Sequence, residues 1–196
     1  MERIKTVLYW LWSCTWGCIM TVIGAVVALG LLITGHKPEV FHYNVYFAFG
    51  TGWGGVNFGA FFFVAKTSDR LDIRQHEAGH GLQNLIYGPL MPFVVAIPSA
   101  FRCLLRDCTY TGKKIVAGVI TSISAALGIA AVVCGSVYGI VALIVIGVLL
   151  AIYAVIIAIW AFKREIPQYV NGAYVPYDSI WFEADATRRG ETAFPL

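Results

Sequence analysis

Between Ile115 and Phe162 the chain carries no charged residue, a block far longer than the roughly 20 apolar residues that one helical crossing of a bilayer needs. A run of this kind is stable only when its backbone is satisfied internally and its side chains meet lipid or other apolar groups. Gly135-Ser136-Val137-Tyr138-Gly139 sits near its middle and can reverse the chain. The block therefore reads as a transmembrane hairpin over residues 115–162, with one helix over Ile115 to Cys134 and the other over Ile140 to Phe162. Lys113, Lys114, Lys163 and Arg164 bracket the hairpin and place both of its ends on one side, the cytosolic one by the positive-inside rule.

The rest of the composition agrees. Of 196 residues, 59% are hydrophobic and 13% charged, about half the charged fraction of an average soluble domain. A chain of this length is expected to form one compact domain over residues 1–196, without a separate soluble domain. Its net charge of +3 is spread over several loops, which gives no reason to expect nucleic acid as a partner; lipid is the expected environment. The five cysteines, Cys14, Cys18, Cys103, Cys108 and Cys134, form no C-x-x-C pair and read as small hydrophobes.

Val7 to Ile33 is a second span candidate, and the tryptophans Trp10, Trp12 and Trp16 near its start fit an interfacial anchor. A cleaved signal peptide is the rival reading, but the run is too long and lacks a small-residue exit. Leu82 to Leu105 is apolar too, yet Gly88-Pro89, Pro92 and Pro98 interrupt it. Proline removes a backbone donor, so this stretch, residues 89–105 above all, is expected to be re-entrant or interfacial. Residues 41–64 hold two aromatic and β-branched runs around a Gly-rich turn, the pattern of a short β-hairpin. The expected fold is thus a mainly α membrane protein: about three transmembrane helices, a re-entrant segment and a short β-hairpin, with one further helix that carries the chemistry.

That helix covers residues 69–87 and ends at Gly88-Pro89. It contains His76-Glu77-Ala78-Gly79-His80. Two His four residues apart project from one face of a helix and can occupy adjacent positions around one zinc ion. Glu77, next to the first His, can act as the general base that takes a proton from a water and passes it to a leaving amine. A catalytic site needs a third protein ligand and one open position. No third His follows at metzincin spacing, and His36 and His42 lie upstream, where a structural or interfacial role is expected. Beyond the hairpin lies Trp181-Phe182-Glu183-Ala184-Asp185-Ala186-Thr187-Arg188-Arg189-Gly190, read as a third-ligand helix over residues 179–190. Glu183 is the expected third ligand of a single Zn2+, with Asp185 as the fallback on a different helical face.

The order of an H-E-x-x-H helix, two transmembrane helices and a Glu-bearing helix resembles the membrane gluzincins of the HtpX and Ste24 type, the M48-like peptidases. Their third-ligand motif ends in Asp, where this chain has Thr187. The runs His76 to Gln83, Tyr87 to Leu90, Ile97-Pro98-Ser99, Trp53-Gly54-Gly55-Val56-Asn57-Phe58-Gly59, and Glu183 with Ala186 and Gly190 are also similar to a set of small bacterial HExxH membrane proteins. The resemblance implies that the hairpin before the zinc helix offers an edge strand, here Trp53, Gly54, Gly55, Val56 and Asn57, to an extended protein or peptide substrate. Tyr174, Tyr177 and Arg188 are the candidates for stabilising an oxyanion.

If Leu82 to Leu105 crossed the bilayer, His76 and Glu183 would lie on opposite sides of it, so a shared metal requires that segment to be re-entrant. Lys66, Arg70, Arg74, Arg102, Arg106, Lys113, Lys114, Lys163 and Arg164 then fall on the site's side. This places the site facing the cytosol, although Arg3 and Lys5 go against that orientation, and the resemblance to the bacterial proteins implies a bacterial plasma (inner) membrane. The expected activity is that of a zinc metallopeptidase cutting membrane or membrane-proximal proteins. The alternative is a non-catalytic metal-binding adaptor or assembly factor on the same scaffold; Glu77 weighs against it, since a structural zinc site needs no base. A transporter finds little support, because the hairpin carries no ionisable residue.

Overall fold

The computed structural model describes residues 2–172, 176 and 180–195. The chain is mainly helical, with seven α-helices and one four-stranded sheet among the described residues: α1 (Glu2–Thr15), α2 (Cys18–Ile33), β1 (Glu39–Phe41), β2 (Asn44–Ala48), β3 (Gly55–Phe58), β4 (Phe61–Val64), α3 (Leu71–Tyr87), α4 (Ile97–Arg106), α5 (Tyr110–Tyr138), α6 (Val141–Trp160) and α7 (Trp181–Ala193). Length suggests one compact domain, but the contacts divide the chain into two. One unit is Met1–Ile97 with Tyr177–Leu196, and the other is Pro98–Pro176. The physical reason is that α5 and α6 pack chiefly on each other.

In the first unit the sheet has the order β1-β2-β4-β3. This corrects the single hairpin expected over residues 41–64. The second aromatic run folds back on itself at Gly59 (φ +69°), so β3 and β4 form their own antiparallel hairpin, and β4 then pairs with β2 in parallel. Phe62, Phe63 and Val64 are all buried, which calls for a central strand; the Gly-rich stretch 50–54 therefore serves as a crossover and not as a hairpin turn. Side chains alternate across the sheet. Phe41, Tyr46, Phe62 and Val64 pack with Ala78 and Phe194 on one face, and Phe47 and Phe63 pack with Ala28 on the other. The sheet is thus sandwiched between the apolar helix α2 and the histidine-bearing helix α3.

Val7 to Ile33, expected as one span, is broken: α1 and α2 meet at a bend of 99°. Gly17 lies at the break against Asn84, whose amide donates to the Gly17 carbonyl at 3.1 Å. The Trp12 indole N–H donates to Leu85 O at 3.0 Å and that of Trp16 to Ile86 O at 3.5 Å. These tryptophans satisfy carbonyls that the end of α3 would leave unpaired, and so they fasten α1 to that end. At 1.5 Å per residue the 14 residues of α1 and the 16 of α2 are each shorter than a hydrocarbon core of about 30 Å.

After α3 the chain bends by 113° at Met91, between Leu71–Leu90 and Pro92–Arg106. Gly88 adopts φ +50° and Pro92 opens a π-helical turn, so the break falls between Gly88 and Pro92, as proline there favours, whereas Pro98 lies within the continuous helical run Pro92–Arg106. Two helices are long and apolar enough to cross a membrane, or up to four if each bent pair counts as one span.

The second unit contains that hairpin. The reversal falls at the end of the expected Gly-rich stretch: Gly139 caps α5 in the left-handed region (φ +67°), while Gly135 stays helical against Ile144. Gly128 and Gly147 face each other, and a Cβ on Gly128 would lie 2.8 Å from the Gly147 carbonyl. Small residues at this crossing let the two backbones close up. At the charged end, Arg102 and Glu165 are both buried and paired at 3.4 Å. Lys113, also buried, donates to the carbonyls of Leu105 and Arg106 that end α4.

Candidate metal centre

Helix α3 forms because residues 71–87 contain no proline and offer different faces to different neighbours. Asp69 and Arg74 clasp its first turn through two hydrogen bonds of 2.6 and 2.8 Å. Gly81 faces the Tyr9 hydroxyl and Asn44, and Gly79 faces the backbone of α7 at Ala186. Gly190 of α7 rests in turn on Gln75, and the Gln75 amide donates to the Phe194 carbonyl at 2.5 Å. With only hydrogen at these crossings, α3 and α7 approach closely enough for their side chains to share one centre.

There the structure brings His76, His80 and Glu183 together. Glu183 Oε2 lies 3.2 Å from His76 Nε2 and 3.1 Å from His80 Nε2, and one donor atom from each of the three lies within 4.8 Å of the others. Donors held about 2.0–2.1 Å from a tetrahedral ion are separated by about 3.3 Å, so the residues present fit a metal ion. Glu183 is fully buried, as a carboxylate can be when it ligates or pairs.

The imidazoles are aimed from behind. His80 Nδ1 lies 2.9 Å from Gln83 Oε1, and the Gln83 amide nitrogen donates to Phe182 O at 2.7 Å and to Asp185 Oδ2 at 3.0 Å. Those two acceptors fix the orientation of the amide, so its oxygen must accept from His80 Nδ1–H. Nε2 is then left with its lone pair toward the cluster, the state in which an imidazole binds metal. His76 Nδ1 meets Thr187 Oγ1 at 2.8 Å. The Thr187 hydroxyl thus does for His76 what the Gln83 amide does for His80, and both imidazoles are positioned by neutral partners. Gln83→Leu would leave His80 Nδ1, the Phe182 carbonyl and one Asp185 oxygen without this partner. Thermal unfolding in detergent is expected to show a loss of about 2–4 kcal/mol, and a metal titration a 10–100-fold weaker affinity, the usual scale for removing such support.

Glu77 turns toward the sheet. It is buried, and its Oε2 has no hydrogen-bond partner among the described residues. Burial pushes its carboxyl up to about 7, with His76 acting in the opposite sense and Glu183 adding to the rise; a divalent cation at the cluster would favour the ionised form. Its backbone carbonyl accepts from Asn57 Nδ2 at 2.8 Å, and a Cβ on Gly55 would come within 2.8 Å of Glu77 Cγ. Of the expected edge-strand residues, Gly55, Val56 and Asn57 lie on β3, which is an edge of the sheet, while Trp53 and Gly54 precede it. No family model matches the chain, and neither does any curated protein or solved structure.

Two expected positions are placed elsewhere. Asp185, the fallback ligand, turns away from the cluster and accepts from Gln83, Arg188 and Arg189. Burial would raise its carboxyl, but the bonds from Arg189, Gln83 and Arg188 outweigh that and hold it at about 2. Arg188 is exposed and bonded to Asp185 at 2.6 Å; five residues on from Glu183 it is rotated by about 140° around α7, which corrects the expectation that it reaches an oxyanion. Tyr174 and Tyr177 lie outside the described residues. His36 meets the Thr34 hydroxyl and His42 stacks on Phe194, both apart from the cluster. Gln83 is a site residue that a reading of the sequence passes over, and Thr187, noted there only as standing in place of an Asp, bonds His76. Their signal is spacing: Gln83 is three residues after His80, and Thr187 four after Glu183, one turn along the same face in each case.

Proposed function

We propose that this chain is a zinc-dependent membrane endopeptidase that hydrolyses peptide bonds of membrane or membrane-proximal proteins. The observation that carries the reading is the Glu77 carboxylate. It is buried, it keeps one oxygen without a hydrogen-bond partner among the described residues, it adjoins a three-ligand cluster, and it faces an edge strand. A metal site built only for structure closes its fourth position with another protein ligand and has no use for a base. Zinc held by His76, His80 and Glu183 would supply a Lewis acid that polarises a carbonyl and lowers the pKa of a water ligand.

The chain's own residues do the rest. Glu77 takes the proton from the water and delivers it to the departing amine. The edge strand β3 aligns an extended peptide by strand addition, and Gly55, having no side chain, lets that strand lie directly against the Glu77 carboxylate. Two imidazoles and a carboxylate suit zinc well but also suit iron or cobalt, so the metal must be identified by element. The cluster also supports a topology for this reading. With His76 and Glu183 together, an even number of bilayer crossings between them is required; if α5 and α6 are the crossing pair, Leu82 to Leu105 would enter and leave by the same side.

Metal analysis of detergent-purified protein tests the reading. About one zinc per chain is expected in wild type, with loss of most of it in His80→Ala and Glu183→Ala. Wild-type protein that keeps no metal after zinc loading and washing would overturn the peptidase reading. Bound zinc without cleavage of any membrane-protein or casein substrate would favour the adaptor.

A further inference from the structure

On the side of α7 turned away from the cluster lies a cavity of about 450 Å³ lined by Tyr87, Trp181, Ala184, Asp185, Arg188 and Arg189. We propose that this cavity binds the phosphate headgroup of an anionic phospholipid.

The charge balance calls for an anion. Two guanidinium groups share one carboxylate: Arg188 gives one N–H to Asp185 Oδ1 at 2.6 Å and Arg189 gives its Nε–H to Oδ2 at 2.5 Å. That oxygen also accepts from Gln83, so Asp185 is already well supplied with donors and the lining keeps a net positive charge. An arginine offers five N–H donors in a planar fork that matches phosphate. The side chain of Arg188 is 74% exposed, and its remaining donors face solvent at the rim.

The aromatic residues indicate that the anion is attached to a lipid. Tyr87 and Trp181 meet edge to face, 6.3 Å between ring centres, with Trp181 more than half exposed. Trp12 and Trp16 bond to the same end of α3 as Tyr87. Tyrosine and tryptophan gathered at one level mark the depth of lipid headgroups, where basic side chains also gain from anionic lipid. Ile86 and Leu90, next to Tyr87 in the chain, are each about half exposed or more and provide apolar surface for the start of an acyl chain.

Native mass spectrometry of the full-length protein with added dioleoyl phosphatidylglycerol tests the site. Wild type is expected to retain one lipid at least tenfold more tightly than Arg188→Gln/Arg189→Gln, and tenfold more tightly than it retains phosphatidylcholine of the same chains. Arg188→Gln alone removes the exposed guanidinium and its bond to Asp185 and is expected to weaken retention about threefold; a thermal unfolding midpoint near that of wild type in each variant serves as the folding control. Equal retention of the two lipids, or unchanged retention in both variants, would overturn the proposal. Displacement of the lipid by inorganic phosphate at equal concentration would show that the cavity recognises free phosphate and would overturn the assignment to lipid.

Discussion

Glu77→Gln is expected to bind as much zinc as wild type and to cleave peptide substrates about 10²–10⁴-fold more slowly, the range that positioned acid–base groups contribute. The substitution preserves size and removes only the ability to hold a proton. Glu77 is not among the three clustered ligands, so metal content should not move. Its buried Oε2 has no hydrogen-bond partner among the described residues, so the change breaks no hydrogen bond there, and an amide is easier to bury than a carboxylate. The variant is therefore expected to be at least as stable as wild type. Zinc lost together with activity would make Glu77 a ligand; activity retained would mean that another group serves as base, and the mechanism proposed above would fail.

The second large effect is expected from a single methyl group. A Cβ on Gly79 would land on the Ala186 carbonyl and come 3.1 Å from the Gly190 amide nitrogen. Both obstacles are backbone, so no side chain can rotate away and α7 must move. Overpacking of this kind typically costs 1–3 kcal/mol, and a shift of about 1 Å between catalytic groups can cost 10²-fold in rate. Gly79→Ala is thus expected to cleave peptide substrates about 100-fold more slowly and to melt earlier. Gly30→Ala is the matching control: Gly30 lies in α2 with nothing near its Cβ position, and alanine there is expected to be neutral or to stabilise by up to about 1 kcal/mol. Equal behaviour of the two variants would show that the α3–α7 contact is looser than described.

Local chemistry and long-range pairing were not equally legible in the sequence. The histidine pair and Glu77 were, because a helix turns a spacing of four into a shared face. Glu183 was legible as a residue type at the right place in the order of elements, and the contact of His80 with Glu183 spans 103 residues. The apolar hairpin announced itself by its lack of charge. The sheet order did not, because parallel pairing of β2 with β4 depends on burial on both faces, and the same aromatic run serves equally well in a simple hairpin. The break at Gly17 was hidden for a similar reason. One glycine within an apolar run is compatible with a continuous helix, and only the docking of Trp12, Trp16 and Asn84 at the end of α3 makes the bend favourable. The roles of Gln83 and Thr187 emerge only once α7 lies against α3, since neither residue type signals a metal site by itself.

The unit that holds the centre is discontinuous, with Tyr177–Leu196 returning to Met1–Ile97 after the other unit has been made. On the ribosome this imposes an order of events. The helix with both histidines emerges long before Glu183, and a nascent chain halted within α5 or α6 carries His76, Glu77 and His80 but neither Glu183 nor Thr187. Such a chain can bind metal only weakly and cannot hold His76 in place. Under the proposed function, hydrolytic competence would therefore arise only after α7 has followed the apolar hairpin and docked on α3, and a chain stopped short of Glu183 would lack it.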